Sequence, residues 1–98
     1  MLQFEWNSKK AEKNIKLHGV SFEEASTAFK DFLSITIYDP LHSGDEDRFV
    51  LIGSSYKSRP VVVAHTARGD KIRIISARKA TKKERKYYEK NIKIHEKI

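Results

Sequence analysis

Residues 71–85 constrain the fold more than any other segment, because their pattern predicts a buried strand that leads directly into a helix. Ile72 and Ile74 alternate with Ile75 and Ala77, so apolar side chains are expected on both faces of the strand. A strand with two apolar faces must be covered by protein on both sides. The sequence therefore predicts a layered fold with this strand inside it.

Cations surround the point where this strand ends and the helix is predicted to begin. Thr81 fits the N-cap position, and Glu84, three residues later, completes a capping box. The free backbone N–H groups of a helix N-terminus attract anions. We therefore expect a phosphate-binding site at this junction, built from Arg78, Lys79, Lys82 and Lys83.

The positive charge of the chain is concentrated in the same region. The net charge is +7 over 98 residues. Residues 71–98 hold 11 Lys or Arg against 3 Glu, whereas residues 1–70 hold 9 Lys or Arg against 10 acidic residues. A polyanionic partner of the last strand and helix accounts for this distribution. A solvated, lysine-rich helix without a specific partner is the alternative.

The length and composition predict one small cytoplasmic domain that spans residues 1–98. The chain has no cysteine, which is typical of a reducing compartment. No apolar run reaches membrane-spanning length, and the N-terminus lacks the apolar core of a signal peptide. We therefore expect no membrane association. We also expect no cofactor, since the sequence has no glycine-rich phosphate loop.

A short strand and two helices are predicted for the first third of the chain. Residues 2–6 alternate as a strand, and Gly19 is expected to end the first helix in a left-handed C-cap. Ser21 then opens the second helix, with Glu24 at its capping-box position. The predicted buried stripes are Ala11, Ile15 and His18 in the first helix, and Phe22, Ala25 and Phe29 in the second.

Strand periodicity dominates the rest of the chain until a final helix. Four strands are predicted near residues 33–38, 49–52, 61–64 and 71–77, and short loops between them favour an antiparallel meander. We therefore expect an α+β fold: an N-terminal short strand and two helices, a four-stranded antiparallel sheet and a C-terminal helix. The apolar side chains that could dock this helix are Tyr87, Tyr88, Ile92, Ile94 and Ile98.

Two kinds of catalytic site are compatible with the charged residues. The loop at residues 42–47 could offer His, Asp and Glu ligands to a metal, but a solvated polar loop explains it better, because no second ligand group supports it. Metal-independent RNA cleavage fits better. RNA supplies its own nucleophile, the 2′-hydroxyl, so the protein needs only to orient the backbone and to stabilise charge on the phosphorane.

The candidate residues combine cations, which suit the charge on the phosphorane, with side chains that can move protons. The predicted catalytic residues are Arg78, Lys79, His65, Arg73 and His18. The predicted RNA-binding residues are Lys16, Arg48, Lys82, Lys83, Arg85 and Tyr88.

Several of these residues have a structural interpretation as well. His65 alternates with valines and could be a hydrogen-bonded histidine at the edge of the core, and Tyr88 could be a core residue. His18 lies at a helix C-terminus, where a cation favours the macrodipole. Arg73 stands among isoleucines and needs an anion, which could be Glu5, Glu46 or a substrate phosphate.

The spacing of Arg73 and Arg78 raises a geometric difficulty. The two residues are five positions apart, so on a regular strand their side chains point to opposite faces. They can contact the same phosphate only if the strand bends or bulges before Arg78. Arg78, at the strand end, therefore ranks above Arg73 as a catalytic candidate.

Motifs in a specific order and spacing extend over nearly the whole chain, from Phe4 to about Tyr88. The strongest is the run of residues 72–81 with Glu84 and Arg85. The others are Phe4-Glu5-Trp6, Lys10, Asn14, Lys16, residues 18–25, His42-Ser43, Arg48, Ile52-Gly53 and His65-Thr66. In these motifs the sequence resembles the BrnT family of type II toxins, which are RelE-like ribonucleases.

This resemblance implies a RelE-like fold, metal-independent RNA cleavage that inhibits translation, and neutralisation by a cognate antitoxin. The implied antitoxin is a BrnA-like ribbon-helix-helix protein that forms a heterotetramer with the toxin and binds operator DNA. Two positions depart from the family pattern: Phe32 stands where proline is common, and Ala67 where an acidic residue often precedes Arg68. A non-enzymatic nucleic-acid-binding or protein-interaction module is the alternative function.

Overall fold

The computed structural model describes residues 2–96, in which three helices and five strands are formed. Ile98, one of the predicted docking residues, lies outside the described residues. No helix within residues 2–96 is long and apolar enough to span a membrane. In chain order the elements are β1 (Gln3–Glu5), α1 (Ser8–His18), α2 (Phe22–Thr27), β2 (Ile35–Tyr38), β3 (Arg48–Ser54), β4 (Pro60–Arg68), β5 (Lys71–Lys79) and α3 (Lys82–Glu96).

The strands form one mixed sheet in the order β1-β5-β4-β3-β2. Antiparallel pairing from β2 through β5 confirms the predicted meander. The prediction of a four-stranded, wholly antiparallel sheet is wrong, because β1 adds a fifth strand parallel to β5, with Glu5 opposite Arg73. Pairing between the two ends of the chain leaves no mark on local periodicity, so the sequence pattern could not reveal it.

The helices cover the two faces of the sheet unequally. α1 and α2 pack on one face, the α1/α2 face, over a core that includes Phe22, Val61, Val63 and Ile74. α3 covers part of the opposite face, the α3 face, where a smaller core holds Ile52, Val62, Ala80 and Tyr88. The rest of the α3 face is left uncovered by these helices.

Helix ends follow the predicted caps with one exception. Gly19 adopts φ 68° and its N–H donates to the carbonyl of Ile15, which confirms the left-handed C-cap of α1. The Ser21 hydroxyl accepts the N–H of Glu24 at 2.9 Å, as expected of an N-cap. The Glu24 carboxylate, however, does not complete a capping box. It is buried and receives the Arg59 guanidinium at 2.6 and 2.7 Å, whose hydrogen bonds lower the pKa of Glu24.

The buried side of α1 is polar at its centre, which corrects the predicted stripe of Ala11, Ile15 and His18. Asn14 is the buried residue of α1, whereas Ile15 is 48% exposed. The Asn14 amide donates to the carbonyls of Val20 (2.8 Å) and Ala77 (2.7 Å) and accepts the N–H of Ala77 at 3.1 Å. It thus takes the place of a neighbouring strand on the edge of β5 beyond the end of β1.

Candidate functional site

A bulge in β5 decides which side chains share a face of the sheet. His65 of β4 lies opposite Ile74 and Ala64 lies opposite Ser76, so Ile75 is an extra residue in β5. The alternation of the strand is shifted after this point. Ala77 therefore packs in the same core as Ile74, and not on the opposite face as the sequence pattern predicted.

The same bulge places Arg73 and Arg78 on one face. Arg73 lies opposite Thr66, and Arg78 lies opposite Val62. Thr66 and Val62 are four residues apart on a regular strand, so their partners both point to the α3 face. The backbone positions of the two arginines are about 13 Å apart along the sheet. Two long side chains can converge from that separation.

Arg78 is held by a bidentate ion pair with Glu84 of α3. Its Nη1 and Nη2 atoms donate to Oε1 and Oε2 of Glu84 at 2.7 and 2.9 Å. The side chain of Arg78 remains 41% exposed and that of Glu84 27%. The hydrogen bond from Arg78 is the main cause that lowers the pKa of Glu84 from 4.5 to about 2, and Glu84 in turn raises the pKa of Arg78. Both groups are therefore charged at neutral pH.

Arg73 also belongs to a row of three residues that crosses β3, β4 and β5 on the α3 face and has an arginine at each end. Arg48, Thr66 and Arg73 lie opposite one another on β3, β4 and β5. The two arginines are thus about 10 Å apart across the sheet. Arg73 donates to Glu5 at 2.7 Å, while the guanidinium of Arg48 is 3.9 Å from Glu46. Of the three anions that the sequence suggested for Arg73, the structure provides Glu5.

His65 lies on the opposite face from the arginines and is 8% exposed. Its ring packs against Phe29 and Phe49, with centroid distances of 4.8 and 6.0 Å, and its Nδ1 atom lies 3.1 Å from the carbonyl of Val63. Burial lowers the pKa of His65, so the imidazole is neutral at pH 7. The structure thus places His65 in the core and not with the predicted catalytic arginines.

Comparison with known proteins identifies the family. A family model described as "Ribonuclease toxin, BrnT, of type II toxin-antitoxin system" matches residues 6–84. This chain belongs to the BrnT family. It is a ribonuclease toxin of a type II toxin–antitoxin system by that membership, and the resemblance seen in the sequence motifs is confirmed.

A solved BrnT structure shows the same fold. The crystal structure of the Brucella abortus ribonuclease toxin BrnT is 28% identical in sequence and superimposes with a TM-score of 0.63. The match covers 84% of this chain and 100% of the other. A search of curated proteins gave no significant match.

The remaining predicted cations of this BrnT protein are spread around the arginines. Lys79 is the last residue of β5 and lies opposite Val61, so it points to the α1/α2 face. Lys16 and His18 belong to the last turn of α1, in the helix layer over that same face, where a cation suits the macrodipole. The first turns of α3 expose Lys82, Lys83 and Arg85 to solvent beside the Arg78–Glu84 pair.

Tyr88 is a core residue in the BrnT structure and is 6% exposed. Its ring packs with Ile52 and Val62, and its hydroxyl donates to Asp31. Burial and this hydrogen bond raise the pKa of Tyr88. No ring face is left for a base to stack on, so the predicted RNA contact of Tyr88 is replaced by a role in anchoring α3.

The loop at residues 42–47 forms no ligand cluster. Within residues 2–96, no group of three or more His, Cys, Asp or Glu side chains is arranged to hold a metal ion. His42 instead pairs with Asp39, with 2.7 Å between Nδ1 and Oδ2.

Sequence reasoning missed Glu84 as the partner of Arg78. It assigned Glu84 to the capping box alone, and that assignment is confirmed by the reciprocal bonds between Glu84 and Thr81. A signal was present nevertheless. A capping glutamate lies in the first turn of its helix, and an arginine at the end of the preceding strand is within reach of that turn.

Proposed function

We propose that this BrnT protein is a RelE-like endoribonuclease that cleaves RNA without a metal and thereby inhibits translation. The single observation that supports the mechanism most is the shared face of Arg73 and Arg78, which the β5 bulge creates. A guanidinium pair on one open surface is suited to a phosphate that gains charge during the reaction.

In the proposed reaction, the 2′-hydroxyl gives its proton to water, its oxygen attacks the adjacent phosphorus to form a 2′,3′-cyclic phosphate, and the 5′-oxygen of the next nucleotide leaves and takes a proton from water. Arg78 and Arg73 stabilise the additional negative charge on the phosphorane. Arg48, at the other end of its row, holds the RNA backbone. The exposed cations that attract RNA to this surface are Lys82, Lys83 and Arg85, and Lys79 adds to the positive potential from the α1/α2 face.

Four of the sequence candidates are left out of the proposed cleavage site. His65 and Tyr88 are buried, and His65 lies on the other face of the sheet. His18 lies in the helix layer over the α1/α2 face, as does the predicted RNA contact Lys16. The proposal therefore assigns catalysis to charge stabilisation by arginine rather than to a histidine base.

We further propose that the toxin acts in the cytoplasm and is neutralised there by a cognate antitoxin. Membership of a type II toxin–antitoxin family supports the existence of that partner. The proposed partner is a BrnA-like ribbon-helix-helix protein, the assembly a heterotetramer, and its DNA target the operator of the two genes.

RNA cleavage by the purified protein in the presence of EDTA tests the function. The proposal expects RNA to be cut, with loss of cutting in Arg78→Ala and normal cutting in Lys93→Ala, a charge change at the far end of α3. Folded protein that binds RNA with a steep salt dependence but leaves it intact would establish the non-enzymatic alternative.

A further inference from the structure

One carboxylate at the start of α3 serves two partners. Oε1 of Glu84 accepts the backbone N–H of Thr81 at 2.8 Å and Nη1 of Arg78 at 2.7 Å, while Oε2 accepts Nη2 of Arg78 at 2.9 Å. The Thr81 hydroxyl accepts the N–H of Glu84 at 3.2 Å, which closes the capping box. The cap therefore fixes the carboxylate in place, and the carboxylate fixes the guanidinium.

The hydrogen bonds of Arg78 leave one edge of its guanidinium open. Nη1 donates to Glu84 and to the carbonyl of Lys79 (3.3 Å), and Nη2 donates one hydrogen to Glu84. An arginine has five N–H donors, so three are engaged within residues 2–96. The two left over are the N–H of Nε and the second N–H of Nη2. Together they form a side-on fork that matches two oxygens of a phosphate.

We propose that Glu84 is a positioning residue for RNA cleavage, which holds Arg78 so that its open fork faces the scissile phosphate. This inference rests on the proposed function. Arg78 without this partner would be a long, flexible side chain at an exposed strand end. Fixing its plane before substrate binds supplies the preorganisation on which charge stabilisation depends.

The cap alone does not explain the charge of Glu84. A capping box needs one acceptor oxygen at this position, and glutamine serves as well as glutamate. Oε1 meets that need, whereas Oε2 contacts Arg78. The two tasks can therefore be separated: Glu84→Gln keeps the cap and removes the charge, while Thr81→Ala removes half of the cap and keeps the ion pair.

Steady-state RNA cleavage by four proteins tests the inference: wild type, Glu84→Gln, Thr81→Ala and Glu89→Gln. Glu89 is an exposed glutamate of the same helix and controls for the change in net charge. We expect Glu84→Gln to lower kcat about tenfold because the fork loses its orientation. KM should be unchanged or lower, because a negative charge next to the RNA is removed. Urea unfolding of each variant gives the folded fraction.

The controls distinguish positioning from loss of structure. Thr81→Ala should lose stability because a cap bond is removed, yet keep kcat within about twofold. Glu89→Gln should keep both stability and kcat close to those of the wild type. The inference is overturned if Glu84→Gln keeps its kcat, raises KM, or is matched in kcat by Thr81→Ala. If the wild type leaves RNA intact, the proposed function itself has failed and this inference falls with it.

Discussion

The side-chain amide of Asn14 pairs with both backbone groups of Ala77, 63 residues later in the chain. This pair joins α1 to the edge of β5 one residue before Arg78. The amide is buried, and it makes a third hydrogen bond, to the carbonyl of Val20. Its hydrogen bonds are therefore made to protein groups rather than to water. A helix residue that is far from Arg73 and Arg78 in sequence thus fixes the position of the strand that carries them.

Replacing this amide should destabilise the protein more than replacing an ordinary asparagine. Asn14→Ala leaves the N–H and C=O of Ala77 without partners in a buried site, and we expect a loss of about 2–4 kcal/mol in the free energy of unfolding. Asn91→Ala is the matched control, because within residues 2–96 the Asn91 side chain donates one hydrogen bond, to the carbonyl of Leu33. Its loss should be about 1 kcal/mol. Urea unfolding measures both, and equal losses would contradict the role given to Asn14.

The shape of the Arg78 guanidinium should matter beyond its charge. Arg78→Lys keeps a cation but removes the fork, and we expect kcat/KM to fall about 100-fold while the fold is retained. Lys93→Arg makes the reverse exchange at a distant, exposed position and should change kcat/KM by less than about twofold. An Arg78→Lys enzyme as active as the wild type would remove bidentate recognition from the mechanism.

Burial of His65 makes stability depend on pH. Its pKa is lowered by burial in the folded protein, so the unfolded chain binds a proton first as pH falls below about 6.5. The stability contributed by neutral His65 is complete above that pH and is lost as pH falls toward the lowered value. His65→Gln should therefore show a smaller loss of urea midpoint between pH 7 and pH 5 than the wild type. An identical pH dependence in both proteins would show that His65 is not buried as a neutral ring.

Glu84 should contribute to stability in a lower pH range. Its pKa falls from 4.5 to about 2 on folding, so its contribution is present above pH 4.5 and is lost as pH drops toward 2. The stability difference between wild type and Glu84→Gln should consequently be constant above pH 5 and shrink at lower pH. Chemical unfolding at several pH values from 6 to 2 checks this. A difference that grows on acidification would be inconsistent with the ion pair.

Gly53 lies where β3 meets the turn at residues 28–30, and the contact leaves no room for a side chain. A Cβ atom there would lie 2.9 Å from the carbonyl oxygen of Ala28 and 3.0 Å from Cβ of Ser34. We expect Gly53→Ala to destabilise the protein by about 1–3 kcal/mol. At Gly44 a Cβ would meet nothing within 4 Å, so Gly44→Ala serves as the control. Its midpoint in thermal unfolding should stay close to that of the wild type.

Local patterns in the sequence were sufficient for most elements of the fold. The continuous apolar runs of β3 and β4, the left-handed cap at Gly19 and the capping box of Thr81 depend on neighbours a few residues apart, and all three were predicted. The parallel pairing of β1 was not, because it joins distant segments. Asn14 was also missed as a buried residue, since a polar side chain on a helix is expected to face water unless its tertiary partners are known.

The candidate site was predictable in composition but not in geometry. Arg73, Arg78 and Arg48 could be selected because cations suit a phosphate. Their common face depends on the extra residue in β5, and an isoleucine among isoleucines gives no indication that it forms a bulge. Likewise, the burial of His65 depends on Phe29, which approaches it from a different element.

The position of β5 inside the sheet has a consequence for synthesis of the toxin. β5 lies between β1 and β4, so the N-terminal strand has no pairing partner until the last strand has left the ribosome. Arg73 and Arg78 are part of that same strand. A nascent chain therefore completes its sheet and acquires Arg73 and Arg78 in a single late event. A chain that terminates before β5 lacks the complete sheet and both of these arginines.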